Sequence, residues 1–248
     1  MKMRSRTAVA ATAVAVAAAV ALTGCNPTKD EGPNKTPGSS ATQNSGADAS
    51  AQLKAAADAM KAVTGVHLVM TAEGEVPNLK VSKVEGDVGN KPAPAATGEA
   101  TISMGDQNVT AKFIYADGHL YSDVAEPGKF TNFGDGASIY NVSIILDPEK
   151  GLANVLAKLR DPKDAGTETV NGVETTKITG ISSSTDIATL SGSRLGPEKE
   201  QAVPTTVWIA KDGTNHLVQL QLQPAPKGTV TIDLSDWGKQ VTATKPAE

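Results

Sequence analysis

Residues 203–234 read VPTTVWIAKDGTNHLVQLQLQPAPKGTVTIDL. Val203–Ala210, His216–Gln223 and Gly228–Leu234 are three strand-like runs rich in Val, Ile, Leu and Thr. Asp212-Gly213 supplies a hairpin turn between the first two. Strands joined by turns this short pair antiparallel. Gln240–Thr244 extends the same strand-like pattern toward the C-terminus.

The pattern continues upstream. Leu68, Met70 and Ala72 alternate with Val69, Thr71 and Glu73, as in a strand with one apolar face. Leu79, Val81 and Val84 suggest a second strand, and Lys91-Pro92-Ala93-Pro94 a loop. Ala100–Met104 and Asn108–Tyr115 flank Gly105 as a hairpin, and His119–Val124 returns after Asp117-Gly118. Glu126–Gly136 reads as loop, and Ile139–Leu146 as an apolar, partly β-branched run. Asn171-Gly172 joins Thr167–Val170 to Val173–Ile181.

Helical spacing occurs in three places. Leu53, Ala56, Ala57, Met60 and Val63 share one stripe, with Asp48 or Ser50 as its cap and Gly65 as its stop. Asp147-Pro148 opens a helix over Gly151–Arg160. Ser184–Leu190 is a short helix capped by Ser184 or Thr185. About ten strands and three or four helices, with helices between strand blocks, predict an α+β fold with helices on one face of a mainly antiparallel sheet.

The N-terminus is different in kind. Lys2, Arg4 and Arg6 precede Thr7–Ala21, an Ala/Val run that fits the apolar core of a signal peptide. It is too short for a membrane span of roughly 20 apolar residues. Leu22-Thr23-Gly24-Cys25 then resembles the bacterial lipobox. That resemblance implies cleavage between Gly24 and Cys25, an S-diacylglycerol on the thiol and N-palmitoylation of the new terminus. Residues 25–50 are an acylated cysteine and a Pro/Gly/Ser/Thr/Asn-rich linker. Such a linker spans roughly 25–30 Å. Residues 51–248 form the single folded domain of this reading.

Composition excludes several functions. The chain has 248 residues, a net charge of -4 and 3% aromatic residues. An acidic chain is no typical nucleic-acid binder. One cysteine excludes an internal disulfide framework and any multi-cysteine metal site. His67, His119 and His216 lack metal-ligand spacing. No nucleophile elbow, Walker loop or dinucleotide fingerprint occurs. Asp135 and Asp147 read as turn residues. The expectation is a protein without catalytic residues, metal or cofactor.

Tyr121-Ser122-Asp123, Phe133-Gly134, Leu146-Asp147-Pro148, Gly151–Ala157, Val203–Ile209 and Leu234–Lys239 form an ordered series of blocks. Together they resemble the mycobacterial LppX/LprA/LprF/LprG lipoproteins, with the LprA branch nearest. The resemblance implies a strongly curved half-barrel sheet whose helices pack on its concave face and enclose an apolar cavity. It implies a non-enzymatic carrier of glycolipid or acylglycerol, anchored on the outer face of the cytoplasmic membrane. It also implies partners: an envelope export transporter, and host Toll-like receptor 2, which recognises the acylated terminus. The alternative is a lipoprotein acting chiefly as a receptor agonist. On this reading the cavity walls are Leu68, Met70, Ala72, Ala100, Ile102, Met104, Phe113, Tyr115, Val207 and Ile209. Leu152, Val155, Leu156 and Leu159 form a lid. Apolar faces ordinarily pack on protein; only the resemblance makes these a ligand surface.

Overall fold

The computed structural model describes residues 45–76, 79–105, 107–190 and 200–247. The lipobox, Cys25 and most of the linker lie outside them. The described residues belong to one compact unit.

The chain opens with α1 (Ser45–Ala62). Asp48 and Ser50 lie inside this helix rather than at its cap, and the Ser50 hydroxyl donates back to the Gly46 carbonyl at 2.9 Å. Five strands follow as a meander: β1 (Gly65–Gly74), β2 (Val81–Gly89), β3 (Ala95–Met104), β4 (Gln107–Ala116) and β5 (His119–Ser122). A sixth, β6 (Thr131–Asp135), occupies the stretch expected to be loop. A connection then carries α2 (Gly136–Ile139), a 3-10 turn at Val142–Leu146 and α3 (Leu152–Ala157). The helix expected to run to Arg160 is shorter, because β7 (Arg160–Val170) begins there. Then come β8 (Val173–Ser183), α4 (Ser184–Leu190), β9 (Ala202–Ala210), β10 (Leu217–Ala225) and β11 (Gly228–Ser235). The Ser183 hydroxyl, not Ser184 or Thr185, accepts the Thr185 N–H at 3.1 Å at the start of α4. Gln240–Thr244 forms no strand. This segment instead passes over the sheet end, where the Gly238 N–H donates to the Gly65 carbonyl at 2.8 Å and Val241 is buried.

All eleven strands form one antiparallel sheet, ordered β6-β5-β4-β3-β2-β1-β11-β10-β9-β8-β7. The first and last strands therefore meet at its centre, from His67↔Ser235 to Gly74↔Gly228. The edges β6 and β7 are consecutive in sequence and lie furthest apart. The segment between them must cross one face of the sheet, and it brings α3 and the 3-10 turn there.

Over β8–β10 that face is filled. Leu152, Val155 and Leu156 of α3 are at most 2% exposed, and they share one core with Met60, Ile178, Val207, Ile209, Leu217 and Leu220. Leu159 sits over Gly180, where a Cβ would come within 2.7 Å of its Cγ. The expected half-barrel enclosing an apolar cavity is therefore corrected. The sheet is open, with edge strands that do not pair with each other. Aliphatic side chains from α1, α3 and the 3-10 turn occupy the space the resemblance left for a ligand. Two hollows among the described residues are open surface grooves of about 560 and 470 Å³.

Close packing of this kind penalises truncation through lost burial and the void left behind. Leu152→Ala and Ile178→Ala should each cost about 2–5 kcal/mol in urea unfolding. Met104→Ser, at an exposed position, should change stability by less than about 0.5 kcal/mol.

Candidate functional site

The register of the sheet shows which expected wall residues share a face. Cα partners align Met70 with Val84 and Ile232, Val84 with Ala100, and Ala100 with Ala111. The row continues across the other half as Ile232, Leu220, Val207 and Ile178. Its two halves differ in cover. On β8–β11 every member is at most 5% exposed. On β1–β3, Met70, Val84 and Ala100 are only half-buried, while Ala111, on β4 at the end of the row, is buried.

Neighbouring rows repeat the contrast. Ala72 is half-buried while its partner row Val230 and Leu222 is closed. Phe113 is half-buried and lies over Gly98, where a Cβ would stand 3.0 Å from the ring. Glycine at that position lets the ring approach the sheet. Toward the start of β1 the cover is restored. Val142, Ile145 and Leu146 of the 3-10 turn join Val66, Val88, Ala96 and Tyr115 in the core.

The structure thus sorts the expected residues into three groups. Leu68, Tyr115, Leu152, Val155, Leu156, Leu159, Val207 and Ile209 are buried core. Met70, Ala72, Ala100, Ile102 and Phe113 form a half-covered apolar strip with Val84, which periodicity had placed on a strand but not at the site. Met104 is 56% exposed at the end of β3 and belongs to no wall. Val76, absent from the expected set, packs against the core edge beside Leu79. Alternation in β1 signalled the face; nothing in it signalled Val76, which lies beyond the strand.

The family model for LppX_LprAFG lipoproteins matches residues 48–243. The chain belongs to this family. It is 54% identical over 246 residues to lipoprotein LprA of Mycobacterium tuberculosis H37Rv, covering 99% of this chain and all of LprA. It is 42% identical to the lipoarabinomannan carrier protein LprG of Mycolicibacterium smegmatis, over 81% of this chain and 84% of LprG. The crystal structure of LprF from Mycobacterium bovis superposes with a TM-score of 0.74 at 27% identity, covering 82% of this chain and 98% of LprF. The expected LprA-like character is in place.

Among the described residues no group of His, Cys, Asp and Glu is placed to hold a metal ion. His119 is exposed beside the Asp117 carbonyl, and His216 stacks on Trp237 with ring centroids 4.8 Å apart. Burial pushes the His216 imidazole below its usual range, against a weaker opposing pull from Asp212. Trp208 donates its indole N–H to Glu168 at 2.8 Å, with the Lys177 ammonium over the ring.

On the face away from α3, Asp87 accepts from both His67 and Lys239 at 2.8 Å. Burial alone would raise the Asp87 carboxyl; the hydrogen bonds from Lys239 and His67 outweigh it and hold the group below the usual carboxylate range. This triad ties β1, β2 and the C-terminal segment together. A carboxyl depressed in the folded state binds fewer protons there than when unfolded. Its stabilisation is present above the unfolded value of about 3.9 and is lost as pH falls through the lower folded value. Asp87→Asn should therefore lower stability at neutral pH and flatten the acid limb below about pH 4. Denaturant midpoints measured across that range check both effects.

Proposed function

We propose that this protein is an acylated lipoprotein of the mycobacterial envelope that binds and carries lipids with long acyl chains, glycolipids or acylglycerols, without catalysing a reaction. The observation that carries the reading is the half-covered strip Met70, Ala72, Val84, Ala100, Ile102 and Phe113. It adjoins a core whose other half is closed. Each acyl methylene withdrawn from water onto such a surface contributes about 0.8 kcal/mol. No chemistry is required, only apolar area and a way to hand the lipid on. LprG, 42% identical, is named as a lipoarabinomannan carrier, which supports lipid cargo for this chain too.

Cys25 is the anchor in this reading, cleaved from Gly24 and bearing S-diacylglycerol and N-palmitoyl groups. Two or three chains suffice for stable attachment, whereas a single one gives only marginal, reversible binding. The domain is then held on the outer face of the cytoplasmic membrane, within reach of its lipids and of an export transporter.

The filled interior favours a second reading. There, acylated Cys25 is the active feature, recognised by host Toll-like receptor 2, and the domain is a scaffold.

One experiment separates the two. The full-length chain is purified from a mycobacterial host, and organic extraction removes lipid that is not covalently attached. The carrier reading expects a stoichiometric acyl lipid by native mass spectrometry, lost in Ala100→Trp. Receptor agonism should survive that substitution and vanish in Cys25→Ala. A chain with no extractable lipid and no uptake of added glycolipid, yet fully agonistic, leaves only the second reading.

A further inference from the structure

One end of the sheet lies open beside the strip. The β1–β2 connection and the end of β3 are tied there by the Ser103 N–H, which donates to the Lys80 carbonyl at 2.7 Å. Met104 is 56% exposed, the most exposed large hydrophobic side chain among the described residues. Val76 and Leu79 lie close by, packed on the core edge. Between these segments runs a groove of about 470 Å³, walled by Ala72, Val76, Leu79 and Val81 on its apolar side and by Glu75, Ser82 and Ser103 on its polar side. Ala72 is also a member of the strip, so the groove, mixed in polarity, adjoins the strip at this residue.

Two other large hydrophobics are exposed, Phe133 at 44% and Ile139 at 52%. They sit at the opposite end, where Asp135 pairs with His119, a strand's length from Met104. Their neighbour Gly136 is packed against the buried Tyr115 ring.

We propose that the Met104 end is a membrane-docking tip. Met104, Leu79 and Val76 rest in the interfacial layer of the bilayer that holds the anchor, and acyl chains pass along the groove between bilayer and strip. The passage rests on the carrier reading; the docking requires only the anchor. Nineteen residues separate Cys25 from Ser45. At no more than about 3.6 Å per residue, such a stretch reaches at most about 68 Å. An apolar patch this small binds weakly on its own, but a tether makes the contact intramolecular and raises its effective concentration. Among the described residues the exposed rim carries Lys80 and Lys227 against Glu73 and Glu75, whose formal charges cancel. Docking is then apolar in origin and indifferent to anionic lipid and to salt.

The test uses the acylated full-length chain in vesicles. Cys25 is the only cysteine and is consumed by acylation, so Met104→Cys and Ile139→Cys each present one free thiol for a nitroxide label. The label at 104 should become accessible to oxygen and shielded from a water-soluble nickel chelate. The label at 139 should stay aqueous. Both results should be the same in phosphatidylcholine vesicles with or without phosphatidylglycerol. A label at 104 that stays aqueous, or one at 139 that enters lipid instead, overturns the docking. Met104→Asp should slow the loading of pyrene-labelled phosphatidylcholine from vesicles several-fold and leave loading from detergent-dispersed lipid unchanged. Unchanged loading from vesicles overturns the passage. If the label at 104 enters lipid but the chain loads by neither route, docking stands and the carrier reading falls.

Discussion

The pairing of β1 with β11 organises the molecule. These strands begin and end the sheet in sequence, yet they lie at its centre in register from His67↔Ser235 to Gly74↔Gly228. Each continues outward as its own meander, toward β6 on one side and β7 on the other. The edges are consecutive in the chain, so the connection between them has to traverse a face. It carries α3 and the 3-10 turn across and leaves Leu152, Val155 and Leu156 buried in the process. Cover on that face is consequently uneven. The closed β8–β11 half and the half-open β1–β4 half are two outcomes of the same topological constraint.

This unevenness links fold to function. A fully covered face would be an ordinary core, and a bare one would invite aggregation. Here small and flexible side chains, Ala72, Ala100 and Met70, keep the exposed area modest while leaving it apolar. Methionine adapts to irregular partners because it is unbranched. Glycine at 98 lets the Phe113 ring approach the strand closely. Such a surface suits acyl chains of varied length better than a rigid pocket does. The polar clusters do other work. The Asp87 contacts with His67 and Lys239 clamp the C-terminal segment beside the central strands, on the face away from α3.

Much of this was legible from residue spacing. The stripe Leu53, Ala56, Ala57 and Met60 marked α1, and alternation at Leu68, Met70 and Ala72 marked the inner face of β1. Paired turn residues marked the hairpins at Asp117-Gly118 and Asn171-Gly172. Strand β6 escaped notice because Thr131-Asn132-Phe133-Gly134 has no alternation of its own; it forms by adding to β5. Partner choice was not legible, since period 2 assigns a face but no neighbour. The half-barrel expectation failed for a related reason. Local pattern does not reveal how far the β6–β7 crossover reaches over the sheet. Eight of the fourteen expected cavity residues proved to be core for that reason, whereas Met104 shares the parity of Ile102 but lies beyond the cover, at the strand end.

The central claim is that acyl chains occupy the β1–β4 half of the covered face. A phospholipid with a diazirine on its acyl chain tests this most directly, by irradiation on the full-length protein and mass-spectrometric mapping of the adducts. The account predicts adducts on Met70, Ala72, Val84, Ala100 and Phe113. Adducts confined to β8–β10, or none above an unirradiated control, would contradict it.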